Sequence, residues 1–164
     1  MTSEQLFYDK KPGFDRLTGS DKRGMQEYAE GYKTFLDEAK TERDAVKEIA
    51  RMAEAKGFRA WKRDDILKAG DKIYRINRNK GIMLAVIGKK DISEGVRLTA
   101  AHLDAPRVDI RTVPLYEDGG MAFFKTHYYG GIKKYQWTAI PLELRGVVCV
   151  CHKGQMKPVE VRVG

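Results

Sequence analysis

At 164 residues, with 42% hydrophobic and 33% charged residues, the chain has the composition of one ordinary folded domain and not of a disordered segment. Its 31 Lys and Arg outnumber 23 Asp and Glu, for a net charge of +8, but the signs interleave, as in Thr41-Glu42-Arg43-Asp44-Ala45-Val46-Lys47-Glu48. No basic stripe, aromatic-rich RNA-binding motif or finger spacing emerges, so no nucleic-acid partner is expected. No apolar run approaches the ~20 residues that cross a bilayer, and Met1 to Lys11 is too polar for a signal sequence; the expectation is a cytoplasmic chain with no membrane partner.

In chain order, Met1 to Gly19 reads as an irregular arm, with Pro12, Gly13 and Gly19 set among Leu6, Phe7, Tyr8 and Phe14. Ser20 then suits an N-cap, with Asp21 in the first turn. Met25, Tyr28, Ala29, Tyr32, Phe35, Leu36 and Ala39 recur at three and four, which predicts an amphipathic helix. Thr41 and Asp44 have capping-box spacing for a second helix, whose face Ala45, Ile49, Met52 and Ala53 runs to a stop at Gly57. On that helix the (i, i+4) pairs Arg43 with Lys47 and Asp44 with Glu48 are repulsive.

Short strands follow at Phe58 to Trp61 and Lys72 to Ile76. A turn at Arg78-Asn79-Lys80-Gly81 favours a hairpin into a buried strand, Ile82 to Ile87. Gly88 to Gly95 is too short for a helical crossover, so the next apolar run, Val96 to Ala101, is expected as a further sheet strand. Helices preceding such strands predict an α/β fold: a mixed sheet with covering helices.

That last run ends in Ala101-His102-Leu103-Asp104-Ala105-Pro106, an imidazole and a carboxylate two residues apart. With a side-chain period of two, Leu98, Ala100, His102 and Asp104 share one side. Imidazole is a common zinc ligand, and a nearby carboxylate can orient its ring or tune the metal; a structural hydrogen-bonded pair is the alternative. Beyond Pro106, Val108 to Thr112, Gly120 to Tyr128, Thr138 to Cys151 and Pro158 to Val163 are β-branched and aromatic without a helical period, and read as β-rich. Glu117-Asp118 beside Gly119-Gly120 reads as a solvated turn, and Gly130-Gly131 as permissive turn geometry. Cys149 and Cys151 sit on one face of a strand, too close to staple the fold, and are expected as buried reduced thiols; Cys-x-Cys-His metal binding is the alternative.

Thr99-Ala100-Ala101-His102-Leu103-Asp104-Ala105-Pro106-Arg107, followed by Pro114 to Gly120 and His127-Tyr128-Tyr129-Gly130-Gly131, resembles the M18 metalloaminopeptidases, whose best-known members are the aspartyl aminopeptidases. The likeness is greatest to a bacterial branch, and extends upstream through Lys40 to Arg43 and Gly70 to Arg75. The resemblance implies a zinc-dependent aminopeptidase that releases N-terminal residues from peptides, with two zinc ions per complete site. It implies His102 as a metal ligand, and Asp104 as the catalytic-site residue that supports His102. It also implies that the other ligands and the general base belong to later family sequence, so that the chain is expected to be an N-terminal fragment, inactive alone. By the same resemblance, 1–110 is the N-terminal part of the catalytic α/β domain, 111–164 begins a β-rich dimerisation domain, and a homo-oligomer is expected. Acidic residues that other branches carry after the Trp of the glycine-rich stretch are absent here, where Trp137 precedes Thr138-Ala139-Ile140. The competing reading from another class is a non-catalytic β-rich binding or assembly module.

Overall fold

The computed structural model describes residues 11–164. The chain divides into two units, Met1–Glu38 and Ala39–Gly164. Of the expected arm aromatics, Phe7 and Tyr8 lie outside the described residues, and Phe14 sits in a short 3-10 turn, Gly13–Arg16.

In the first unit helix α1 spans Gly19–Glu38, as its periodicity predicts. Its cap is Thr18 and not Ser20. The Thr18 hydroxyl oxygen accepts from the Asp21 N–H at 3.2 Å, while Asp21 Oδ2 accepts from the Thr18 N–H at 2.9 Å. This reciprocal pairing satisfies two backbone donors, which a cap at Ser20 would leave to water.

The second unit opens with α2, Glu42–Ala55, capped by Thr41: its Oγ1 accepts from Asp44 N at 3.2 Å. The helix stops at Gly57, whose φ of 81° lies in the left-handed region that suits a residue without Cβ. Strands β1 (Arg59–Ala60), β2 (Lys72–Asn77) and β3 (Gly81–Val86) form a three-stranded mixed sheet, β1 parallel and β3 antiparallel to β2. Arg78 and Asn79 close the β2–β3 hairpin at φ 50° and 57°, the positive pair that matches strand twist. α2 packs on β2 and β3, and the buried side chains Ala45, Val46, Ala50, Ala53 and Tyr74 come from this contact.

Like charges on α2 find opposite partners, on the same helix or beyond it. Asp44 faces Arg145 at 3.6 Å, Glu48 pairs with Arg51 at 2.5 Å, and Lys47 pairs with Glu160. Two antiparallel hairpins complete the unit: β4 (Arg107–Asp118) with β5 (Met121–Tyr129), and β6 (Leu144–His152) with β7 (Gln155–Val163). A four-residue helix α3, Lys134–Trp137, lies between them. Gly119 and Gly120 make the first hairpin turn, and Glu117 caps it by accepting from the Gly120 N–H at 2.7 Å. Glu117 thus serves a solvated turn, as its glycine neighbours predict.

Other expectations change as well. Gly95 to Pro106 has no regular secondary structure, and Val96 and Leu98 are 70% and 82% exposed. An extended segment becomes a strand only by pairing, and among the described residues no strand pairs with it. β3 is likewise only partly covered, with Met83 exposed, because the single helix α2 shields one side of the sheet.

Cys149 and Cys151 are exposed, not buried, because β6 and β7 form a two-stranded sheet with no buried residue. Both thiols of the folded chain are therefore expected to react with a thiol reagent about as fast as free cysteine. Labelling slowed 100-fold or more until denaturant is added would show that this face is covered in solution.

Candidate functional site

The segment from Ala101 to Arg107 leads into β4 and carries the two residues singled out in the sequence. His102 is exposed, and its Nδ1 lies 2.7 Å from the backbone carbonyl of Asp104 and 3.2 Å from Asp104 Oδ1. A carbonyl oxygen only accepts, so Nδ1 carries a proton, and in the neutral ring Nε2 is the nitrogen with the lone pair. This is the tautomer a metal-ligating imidazole needs, with one nitrogen held by oxygen and the other available.

Asp104 is held in turn by a residue the sequence reading did not single out. The Tyr129 hydroxyl, at the end of β5, donates to Asp104 Oδ2 at 2.7 Å. That hydrogen bond is the main reason the Asp104 carboxyl is held below its usual range, and it also raises the Tyr129 phenol. The sense of the linkage is that the stabilising contact is fully present above the ordinary carboxylate value. It is lost as pH falls through the lowered one.

Behind Tyr129 stands Arg107, its guanidinium carbon 4.1 Å from the ring centroid. Arg107 also pairs with Asp109 at 2.7 Å and with Glu42 at 3.2 Å, on the first turn of α2. These carboxylates fix the guanidinium so that it cannot swing off the ring. A cleft of about 540 Å³ opens beside the group, with Glu42, Asp104 and Tyr129 in its wall together with Ile49, Ile82 and Leu103.

Register decides that these residues meet. Near the Gly119-Gly120 turn Leu115 pairs with Phe124, and that register extended would set Tyr129 opposite Ile110. An irregularity between Ile110 and Leu115 shifts the pairing, so Tyr129 lies opposite Arg107. Pro114 stands inside the irregular stretch, where its missing N–H cannot serve the ladder. Gly130 follows at φ 73°, so the expectation of permissive turn geometry describes it; a Cβ there would lie 3.4 Å from Pro106.

His127 and His152 do not join His102. His127 lies 3.9 Å from Asp109 Oδ2, and His152 ends β6. Among the described residues no three His, Cys, Asp or Glu side chains are grouped so as to hold a metal ion. The donor set on this chain therefore fits one ligand position at His102, and does not close a zinc centre, which takes at least three protein ligands. Among the described residues no helix is long and apolar enough to cross a membrane.

A mixed α/β sheet followed by β-hairpins, with a His-x-Asp site at their junction, defines the class, and the comparisons give the family. The family model "Aminopeptidase I zinc metalloprotease (M18)" matches residues 35–163. A Clostridium acetobutylicum relative, "Probable M18 family aminopeptidase 1", is 39% identical over 147 residues, 87% of this chain and 32% of the relative. The crystal structure of aminopeptidase I from Borrelia burgdorferi B31 superposes with a TM-score of 0.85 at 36% identity, covering 94% of this chain and 37% of that one. The S. cerevisiae mApe1 dodecamer has a TM-score of 0.72 at 21% identity, over 85% of this chain and 34% of that one, a likeness of fold alone. The chain belongs to the M18 aminopeptidase family. It spans about a third of the length of the curated relatives it matches.

Proposed function

We propose that this chain supplies the His102–Asp104 part of a zinc-dependent aminopeptidase that releases N-terminal residues from peptides. The observation that carries the reading is the His102 ring, with Nδ1 held by the Asp104 backbone carbonyl beside the Asp104 carboxylate, an arrangement that in the neutral ring leaves Nε2 to a metal. His102 would bind one ion of a two-zinc centre, and the remaining ligands and the general base would come from parts of the relatives that this chain does not span. Zinc held there would supply Lewis-acid polarisation of the scissile carbonyl and a bound water of lowered pKa. On this chain, Asp104 orients the imidazole and keeps its tautomer, and the chain alone is inactive.

In the same reading residues 1–110 belong to the catalytic α/β domain and 111–164 begin a β-rich dimerisation domain of a cytoplasmic homo-oligomer. The uncovered hairpins support this, since Val113, Leu115 and Phe124 on the first and Val148 and Val159 on the second are exposed. Apolar strands left open to water favour association.

Zinc content tests the reading. The complete gene product should retain about two zinc ions per chain after gel filtration, and residues 1–164 alone should retain almost none. A complete product without zinc would sink the proposal. Stoichiometric zinc on the isolated chain, lost in Cys151→Ser, would instead assign the metal to Cys149, Cys151 and His152.

A further inference from the structure

We infer that Tyr129 is a positioning residue for the site: through its hydroxyl it fixes Asp104, and through Asp104 the tautomer and aim of the His102 ring. The inference rests on the reading of His102 as a metal ligand and adds to it a residue 25 positions away from Asp104.

Three observations carry it. The Tyr129 O–H donates to Asp104 Oδ2 at 2.7 Å, while the other carboxylate oxygen, Oδ1, faces His102 Nδ1 at 3.2 Å. One carboxylate thus stands between phenol and imidazole, beside the Asp104 backbone carbonyl that lies 2.7 Å from Nδ1; loss of the phenol frees the carboxylate to rotate away and leaves that carbonyl alone to hold the ring. The phenol is itself immobilised, because the Arg107 guanidinium lies over its ring at 4.1 Å and Arg107 is tied to Asp109 and Glu42. The cross-strand pairing of Arg107 with Tyr129 sets the whole stack in register with the His102 segment, which runs directly into β4. A group that orients a ligand from behind typically contributes ~10–100-fold to metal affinity or activity.

Tyr129→Phe tests this, because phenylalanine keeps the ring beneath Arg107 and removes only the hydroxyl. The first readout is taken on this chain without metal: ring-nitrogen chemical shifts of His102, which report the balance of its two tautomers. The Nδ1–H form should dominate in the wild type, where both the Asp104 carbonyl and its carboxylate face Nδ1, and its share should fall measurably in Tyr129→Phe, where the carbonyl alone holds it. The second readout is zinc affinity of the complete gene product, by competition with a chromophoric chelator. It should weaken about tenfold in Tyr129→Phe with the KM for a peptide substrate unchanged.

Unchanged His102 shifts in Tyr129→Phe would overturn the inference, whatever the zinc result. So would zinc affinity within twofold of wild type in Tyr129→Phe when His102→Ala weakens it strongly. If His102→Ala also leaves zinc affinity unchanged, the metal-ligand reading itself fails, and the role of Tyr129 fails with it. A Tyr129→Phe chain with altered amide shifts throughout would point to a structural role instead, and would likewise overturn it.

Discussion

Replacing His102 by alanine in the complete gene product should reduce release of N-terminal residues by at least about 1000-fold, the consequence of removing several kcal/mol of transition-state stabilisation supplied by a metal centre. The substitution should do little to the fold, because His102 is 80% exposed and its contacts are local to Asp104. Loss of activity would therefore accompany loss of zinc and not loss of structure. His152→Ala is the control, since that imidazole ends β6 and shares no contact with Asp104 or Tyr129 among the described residues. Activity surviving in His102→Ala, with zinc content intact, would remove the catalytic reading and favour a binding or assembly module.

The second large effect is on stability. Val46→Asp should abolish hydrogen-exchange protection of α2, β2 and β3 in the chain. Val46 is 1% exposed, and among the described residues the other buried side chains are Ala45, Ala50, Ala53 and Tyr74. A carboxylate there would have no partner in that apolar patch. Burying an unpaired charge costs several kcal/mol, a large part of the roughly 5–15 kcal/mol that holds an ordinary domain together. Val46→Ala should be milder, at roughly 1–3 kcal/mol for the lost methyl groups and the space they leave. Wild-type protection in Val46→Asp would show that the α2 contact is not what holds this unit together.

The family was legible in the sequence because its signal is local and dense: His102, Asp104, Pro106 and the Tyr129-Gly130-Gly131 run fall within one short stretch of chain. The two helices were legible for a similar reason. A 3.6-residue period sums over many residues, and Thr41 with Asp44 marks a start that the backbone then uses. The displaced cap at Thr18 shows the limit, since cap preference alone slightly favours Ser20 over Thr18. Only Asp21 sits three residues after Thr18 to return the hydrogen bond.

What sequence alone could not supply was set by pairing. Val96 to Ala101 has the composition of a strand, yet strand state requires a neighbour, and no described strand provides one. Cys149 and Cys151 have the alternation of a buried face, but burial depends on a second layer, and the β6–β7 hairpin has no residue buried by one. By itself the sequence determined the family, the two helices, the turns at Arg78 to Gly81 and Glu117 to Gly120 and the His102–Asp104 pair, all properties of residues close together in the chain. The tertiary structure decided that Tyr129 completes that pair. A hydrogen bond across 25 residues depends on the β4–β5 register, and the irregularity around Pro114 moves Tyr129 from Ile110 to Arg107, a shift no local pattern encodes.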